Sequence, residues 1–144
     1  MTAHKPVGQT ASVGFQVGVR RTLPISSVRV WEIILSPEGL KIWLGDIPSL
    51  VLESGYRYVC QDGTSGEIRV VRPHQQLRMT WQKKDWPKPS TLQIRLLSGN
   101  TSPNKTTISF HQEKLEDARV RERMKLWWEE VLARLADLAE GEHE

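Results

Sequence analysis

The sequence predicts an α+β fold in which a curved antiparallel sheet wraps around one long C-terminal helix. Three observations carry that expectation. Between Phe15 and Phe110, short segments alternate apolar and polar residues, the period of a strand with one buried face. Gly, Pro, Asp and Asn punctuate those segments, as consecutive hairpins require. From about Glu116 the apolar residues instead recur at steps of three and four, without Pro or Gly until Gly141.

The elements follow in order. Phe15, Val17 and Val19 alternate with Gln16, Gly18 and Arg20 in a first strand that Leu23-Pro24 ends. Ser26 or Ser27 caps a short helix carrying Val28, Trp31, Ile34 and Leu35. Ser36-Pro37 restarts the chain as a second short helix through Leu40, Trp43 and Leu44, stopped by Gly45. Tyr56, Tyr58 and Cys60 then alternate along a strand that runs into an Asp62-Gly63 turn. Ile68 and Val70 form the next strand, closed by Pro73. Leu77, Met79 and Trp81 share one face of another, and Leu92, Ile94 and Leu96 one face of the strand after it. Between those two lies a loop containing Trp86-Pro87-Lys88-Pro89. Asn100 to Asn104 read as a further loop, before a last strand holding Ile108 and Phe110. The final helix is expected from about Glu116 to Glu140, with Val120, Met124, Trp127, Trp128, Val131, Leu135 and Leu138 as its apolar stripe. A sheet that is apolar on one side is the surface for that stripe.

The 144 residues suit one domain, assigned to residues 14–141 after a flexible tail at 1–13. Met1 to Ser12 are polar and no apolar run follows, so a signal peptide is not expected. No stretch is long and apolar enough to span a bilayer. Cys60 is the single cysteine, which excludes an intramolecular disulfide and argues against a cysteine zinc site. A cytoplasmic location fits these features. Twenty Lys and Arg against 17 Asp and Glu give a formal charge of +3, too small an excess to point to nucleic acid. The basic and aromatic run Trp81-Gln82-Lys83-Lys84-Asp85-Trp86 is better read as a solvated turn than as a single-strand binder.

The order of one strand, two short helices, several antiparallel strands and a long helix is the helix-grip arrangement. In detail it resembles the bacterial domains related to the activator of Hsp90 ATPase, within the START-like, polyketide-cyclase-like (SRPBCC) superfamily. The resemblance rests on Pro24 before Val30-Trp31, Ser36-Pro37-Glu38 leading to Trp43-Leu44-Gly45, and Gly55-Tyr56-Arg57-Tyr58 with Gly66-Glu67-Ile68. It continues through Pro73 with Leu77 and Trp81, and Trp128 with Leu132 and Leu135. Ser54-Gly55 stands where paired glycines are common in the family, and Trp127 where glycine is common. The length leaves no room for the separate N-terminal Hsp90-binding domain of the eukaryotic activator, so the resemblance does not by itself imply ATPase activation. It does imply a cavity between the long helix and the sheet, used in the wider superfamily for lipids, sterols, aromatic polyketides and plant hormones.

Candidate ligand-binding residues are those that would line such a cavity. They are Trp31, Trp43, Tyr56, Tyr58, Met79, Trp81, Ile94, Met124, Trp127, Trp128 and Val131, together with Trp86 as a lid from its loop. Each also suits ordinary core packing, because large aromatics dominate core energetics. His74 in its turn and His111 beside Phe110 should face water, and Cys60 has no adjacent histidine to activate it. No metal-ligand spacing, phosphate loop or nucleophile elbow is present, so neither catalytic residues nor a cofactor are expected. The expected function is noncatalytic binding of a small hydrophobic or aromatic molecule. The alternatives are a cyclase- or hydrolase-like enzyme on the same scaffold and a chaperone-linked protein-interaction module.

Overall fold

The computed structural model describes residues 9–10, 14–99 and 102–142. Its elements are β1 (Gln9–Thr10), β2 (Gly14–Leu23), α1 (Ser27–Leu35), α2 (Pro37–Trp43), β3 (Arg57–Val59), β4 (Ser65–Arg72), β5 (Gln76–Trp81), β6 (Ser90–Gly99), β7 (Ser102–Leu115) and α3 (Ala118–Glu142). All seven strands form one curved antiparallel sheet in the order β1-β2-β7-β6-β5-β4-β3. Six of them are the expected strands. The two-residue β1 adds an edge from within the segment assigned to the tail, and residues 1–8 and 11–13 lie outside the described residues.

The local chemistry explains the helices. Ser26 Oγ accepts the Arg29 N–H at 3.3 Å at the start of α1. Ser36 serves two helices at once: its hydroxyl donates to the Ile33 carbonyl at 2.7 Å and accepts the Gly39 N–H at 3.1 Å, with Pro37 in the first turn of α2. A side chain at Gly39 would collide with the Ile33 backbone, so glycine is what lets α2 fold back onto α1. At the start of α3, Asp117 accepts the Val120 N–H at 2.8 Å, which sets the first turn just after the expected Glu116. The helix then continues through Gly141 instead of breaking there.

Two strand boundaries differ from expectation. The strand read through Tyr56, Tyr58 and Cys60 is only Arg57–Val59, because turns take both flanks. The Tyr56 N–H turns back to the Glu53 carbonyl at 3.0 Å, and the Gly63 N–H to that of Cys60 at 3.0 Å. The Asn100–Asn104 loop is shorter than expected, since Gly99 pairs with Ser102; residues 100 and 101 lie outside the described residues.

Alternation sorts the two faces of the sheet. Leu77, Met79, Trp81, Leu92, Ile94, Ile108 and Phe110 point inward and are buried, while Arg78, Arg95 and His111 share the outer face. Helix α3 lays Met124, Trp128, Val131, Leu132, Leu135 and Ala139 onto that inner side, packing against β2 and β7. Helices α1 and α2 close the rest with Val30, Trp31, Ile34, Leu40 and Trp43. Adjacent helical positions are rotated by about 100°, so Trp127 and Trp128 cannot both face the sheet. Trp128 is fully buried, whereas Trp127 is 37% exposed.

A filled core and an edge pocket as the candidate functional site

The space between sheet and helix is occupied by side chains. Trp128 stacks on Phe110 with ring centroids 5.0 Å apart, and Trp81 meets Trp128 edge-on at 5.7 Å. Trp43 approaches Phe110 at 6.3 Å and donates its indole N–H to the Ile34 carbonyl at 2.7 Å. Met79, Ile94, Met124 and Val131 fill the gaps among these rings and are buried. Tyr58 is buried too, and its hydroxyl donates to the Thr80 carbonyl at 2.6 Å. Burial first, and the neighbouring Cys60 second, raise the Tyr58 pKa, so that hydroxyl remains a fixed donor. Of the remaining candidates, Tyr56 packs on the margin of the core, and Trp31 meets the exposed His74 edge-on at 6.2 Å.

A buried polar chain, made of residues outside the candidates predicted from the sequence apart from Trp81 and Trp128, runs through this core. Trp128 Nε1 donates to Gln112 Oε1 at 2.8 Å, Gln112 Nε2 donates to Ser90 Oγ at 2.9 Å, and the Ser90 hydroxyl donates to the Trp81 carbonyl at 2.5 Å. Gln112 continues the inward alternation of Ile108 and Phe110, so its inward aim was legible from strand period alone. Its partner on the helix was not. Trp81 Nε1, in contrast, is buried with no hydrogen-bond partner among the described residues.

An open pocket lies at the end of this core where α3 begins. It is a pocket of about 620 Å³ lined by Gly14, Trp86, Pro87, Lys88, Pro89, Lys114, Leu115 and Glu116. The 82–89 loop forms one wall. Trp86 is half-buried there and meets Trp81 edge-on at 5.3 Å. The end of β7 forms the other wall, shaped by a bulge. Val17 pairs with Gln112 and Phe15 with Leu115, so β7 has one residue more than β2 over that interval. Lys114 absorbs the excess with φ of 63°, a left-handed conformation uncommon outside glycine. That twist returns Leu115 to the core and leaves Lys114 exposed at the pocket rim, near Lys88 and Glu116. Trp86 is therefore the one sequence-stated candidate among the lining residues of this pocket. Pro87, Pro89 and Leu115 went unrecognised because a loop and a bulge carry no periodic signal.

Other chemistry is limited. Cys60 is buried, its thiol donates to the Leu44 carbonyl at 3.8 Å, and burial, then Asp62 and Asp46, push its pKa up to about 11. It stays a protonated thiol at neutral pH. His111 lies on the outer face, bonded to Gln16 at 2.9 Å and 3.4 Å from Glu113. Among the described residues, no group of His, Cys, Asp and Glu is arranged to hold a metal ion, and no helix is long and apolar enough to cross a membrane.

Residues 24–140 match the family described as Activator of Hsp90 ATPase homolog 1-like protein. The chain belongs to that family. Solved structures of similar fold include MLL2253 from Mesorhizobium loti, 20% identical, with a TM-score of 0.70 over 87% of this chain and 96% of that one. DynU16, from the dynemicin biosynthetic locus, is also 20% identical, with a TM-score of 0.73 over 87% of this chain but only 47% of its own. An Hsp90 activator from Plasmodium falciparum is 16% identical, with a TM-score of 0.66 over 78% of this chain and 86% of that one. No curated protein matches the sequence. At these identities the likeness to the solved structures shows the fold alone.

Proposed function

We propose that this domain binds a small hydrophobic or aromatic molecule, without transforming it, at the edge pocket where the Trp86 loop meets the start of α3. The observation that carries this reading is a pocket of about 620 Å³ walled by Trp86, Pro87, Pro89 and Leu115. That size suits a drug-sized molecule, and apolar walls with a few polar groups are the usual make-up of such sites. Lys88 and Lys114 at the rim would favour a ligand that leaves an oxygen or a negative charge near the mouth. A neighbour encoded in a biosynthetic locus is consistent with a small-molecule partner.

The test is calorimetric titration with a panel of flat lipophilic compounds. Saturable binding is expected, and Pro87→Asp should weaken it about tenfold by placing a charge in the wall. Pro87 is exposed, so that change should leave the melting temperature nearly unaltered. A panel without a single saturable binder would end the proposal. Turnover of a bound compound, with Lys88, Lys114 or Glu116 as the titratable groups at hand, would favour an enzyme instead.

A second reading is a protein-interaction role, with a chaperone as one candidate. It is supported by Leu126 and Trp127, adjacent on α3 and 67% and 37% exposed, and by the fold shared with an Hsp90 activator.

A further inference from the structure

Three tryptophans make up the centre of the core, and they differ in one respect. The indole N–H of Trp43 is bonded to the Ile34 carbonyl and that of Trp128 to the Gln112 amide. Trp81 is 2% exposed, and its Nε1 has no partner among the described residues. Buried donors are almost always paired, since an unpaired one forfeits its hydration without return. The polar chain through the core does not supply one: the Trp81 carbonyl, Ser90 and Gln112 bond to one another and to Trp128.

What flanks the Trp81 ring indicates how an acceptor would arrive. One neighbour is Trp128, fully buried, stacked on Phe110 and hydrogen-bonded. Trp86, half-buried in a loop and itself a wall of the pocket, also meets the Trp81 ring, with centroids 5.3 Å apart. Trp86 is anchored through its backbone. Its N–H donates to the Lys83 carbonyl at 3.0 Å, and its carbonyl accepts the Gln82 side-chain amide at 2.7 Å. Among the described residues its side chain has no hydrogen bond and rests on packing alone, against Trp81 at 5.3 Å. The ring can therefore turn out while the loop backbone keeps its bonds. Trp86 thus touches both the pocket and the ring that carries an unpaired buried donor, and ring faces are weak acceptors.

We propose that the Trp81 indole N–H is the specificity donor of the site, held for a neutral acceptor oxygen on a flat aromatic ligand that takes the place of the Trp86 ring. This rests on the pocket reading above and narrows it. The preferred class is a planar aromatic ketone, quinone or lactone, whose rings replace the Trp86 indole against Trp81 and whose carbonyl meets Nε1. A plain hydrocarbon of the same shape would fill the space and leave the donor unpaired. A carboxylate would have to give up its hydration behind the Trp86 position, away from the lysines of the rim.

The experiment uses a matched pair of planar probes, fluorenone and fluorene, titrated by calorimetry into the whole chain. Trp81→Phe keeps a buried ring and removes the donor. It should weaken fluorenone about tenfold and leave fluorene within about twofold, so that the preference collapses. Trp86→Ala should tighten both probes, because no ring has to be displaced. In the wild-type protein, saturation with fluorenone should also shift the Trp81 indole N–H resonance downfield, and saturation with fluorene should not. That measurement stands even if Trp81→Phe fails to fold. Equal effects of Trp81→Phe on both probes, or an indole resonance indifferent to fluorenone, would overturn the proposal while fluorene binding kept the pocket reading intact. Binding of neither probe to the wild type or to Trp86→Ala would remove the pocket reading and this inference together.

Discussion

Gln112 on β7 accepts the indole N–H of Trp128 on α3 at 2.8 Å, with both residues fully buried. This is a direct polar bond between the sheet and the helix it wraps. Both ends of the Gln112 amide are engaged, since its nitrogen donates to Ser90. The bond fixes the rotation of α3 over the sheet more narrowly than apolar contact, which is non-directional.

Replacing Gln112 by Leu should therefore destabilise the domain by about 2 kcal/mol, since it leaves the Trp128 donor buried and unpaired. Adding Trp128→Phe to that variant should cost less than the same change in the wild type. Urea unfolding of the four proteins in a double-mutant cycle checks this. Purely additive losses would mean that the hydrogen bond contributes nothing beyond packing.

A chain ending at Arg123 should not fold. It loses Met124, Trp128, Val131, Leu132, Leu135 and Ala139, and leaves the inner sheet face, Phe110 included, open to water. Circular dichroism and size-exclusion chromatography should show an unfolded or aggregated species. A sharp melting transition near that of the full chain would contradict the packing described above.

Histidine replacements should be nearly silent. His74 is exposed, and His111 sits on the outer face with Gln16 and Glu113, away from the pocket. Ala at either position should change stability by no more than about 0.5 kcal/mol and leave probe affinity unaltered. Thermal melts and calorimetry suffice, and a large loss of affinity in either variant would place a histidine in the site after all.

Alkaline pH should destabilise the domain through Cys60. Its folded pKa is raised from 9.0 to about 11, so the folded state holds the proton more tightly than the unfolded one. The stability this confers is complete below pH 9 and is lost as pH rises through 11. The slope contributed should approach about 1 kcal/mol per pH unit within that window. The buried Tyr58 hydroxyl acts in the same direction at still higher pH. Cys60→Ala should flatten the slope in urea titrations across the range, and an unchanged slope would show that the thiol is not its source.

Element type and facing were legible in the sequence because they depend on period. Alternation placed Met79 and Trp81 inward and His111 outward, and the three-and-four step placed Met124, Trp128, Val131 and Leu135 on one stripe. Ser36-Pro37 announced the break between α1 and α2 through capping chemistry that acts within four residues. Tertiary structure decided the rest. Turn hydrogen bonds at Tyr56 and Gly63 cut β3 short, and helix rotation chose Trp128 over Trp127. Whether helix and sheet enclose a void is a question of volume, and here Trp43, Trp81, Phe110 and Trp128 pack ring against ring in that space. The pocket arises instead where a left-handed Lys114 and a proline-flanked Trp86 loop interrupt periodic structure. Period reports which way a side chain points. How much space remains between two apolar faces depends on the shapes of all the side chains that meet there, and those meet only once the chain has folded.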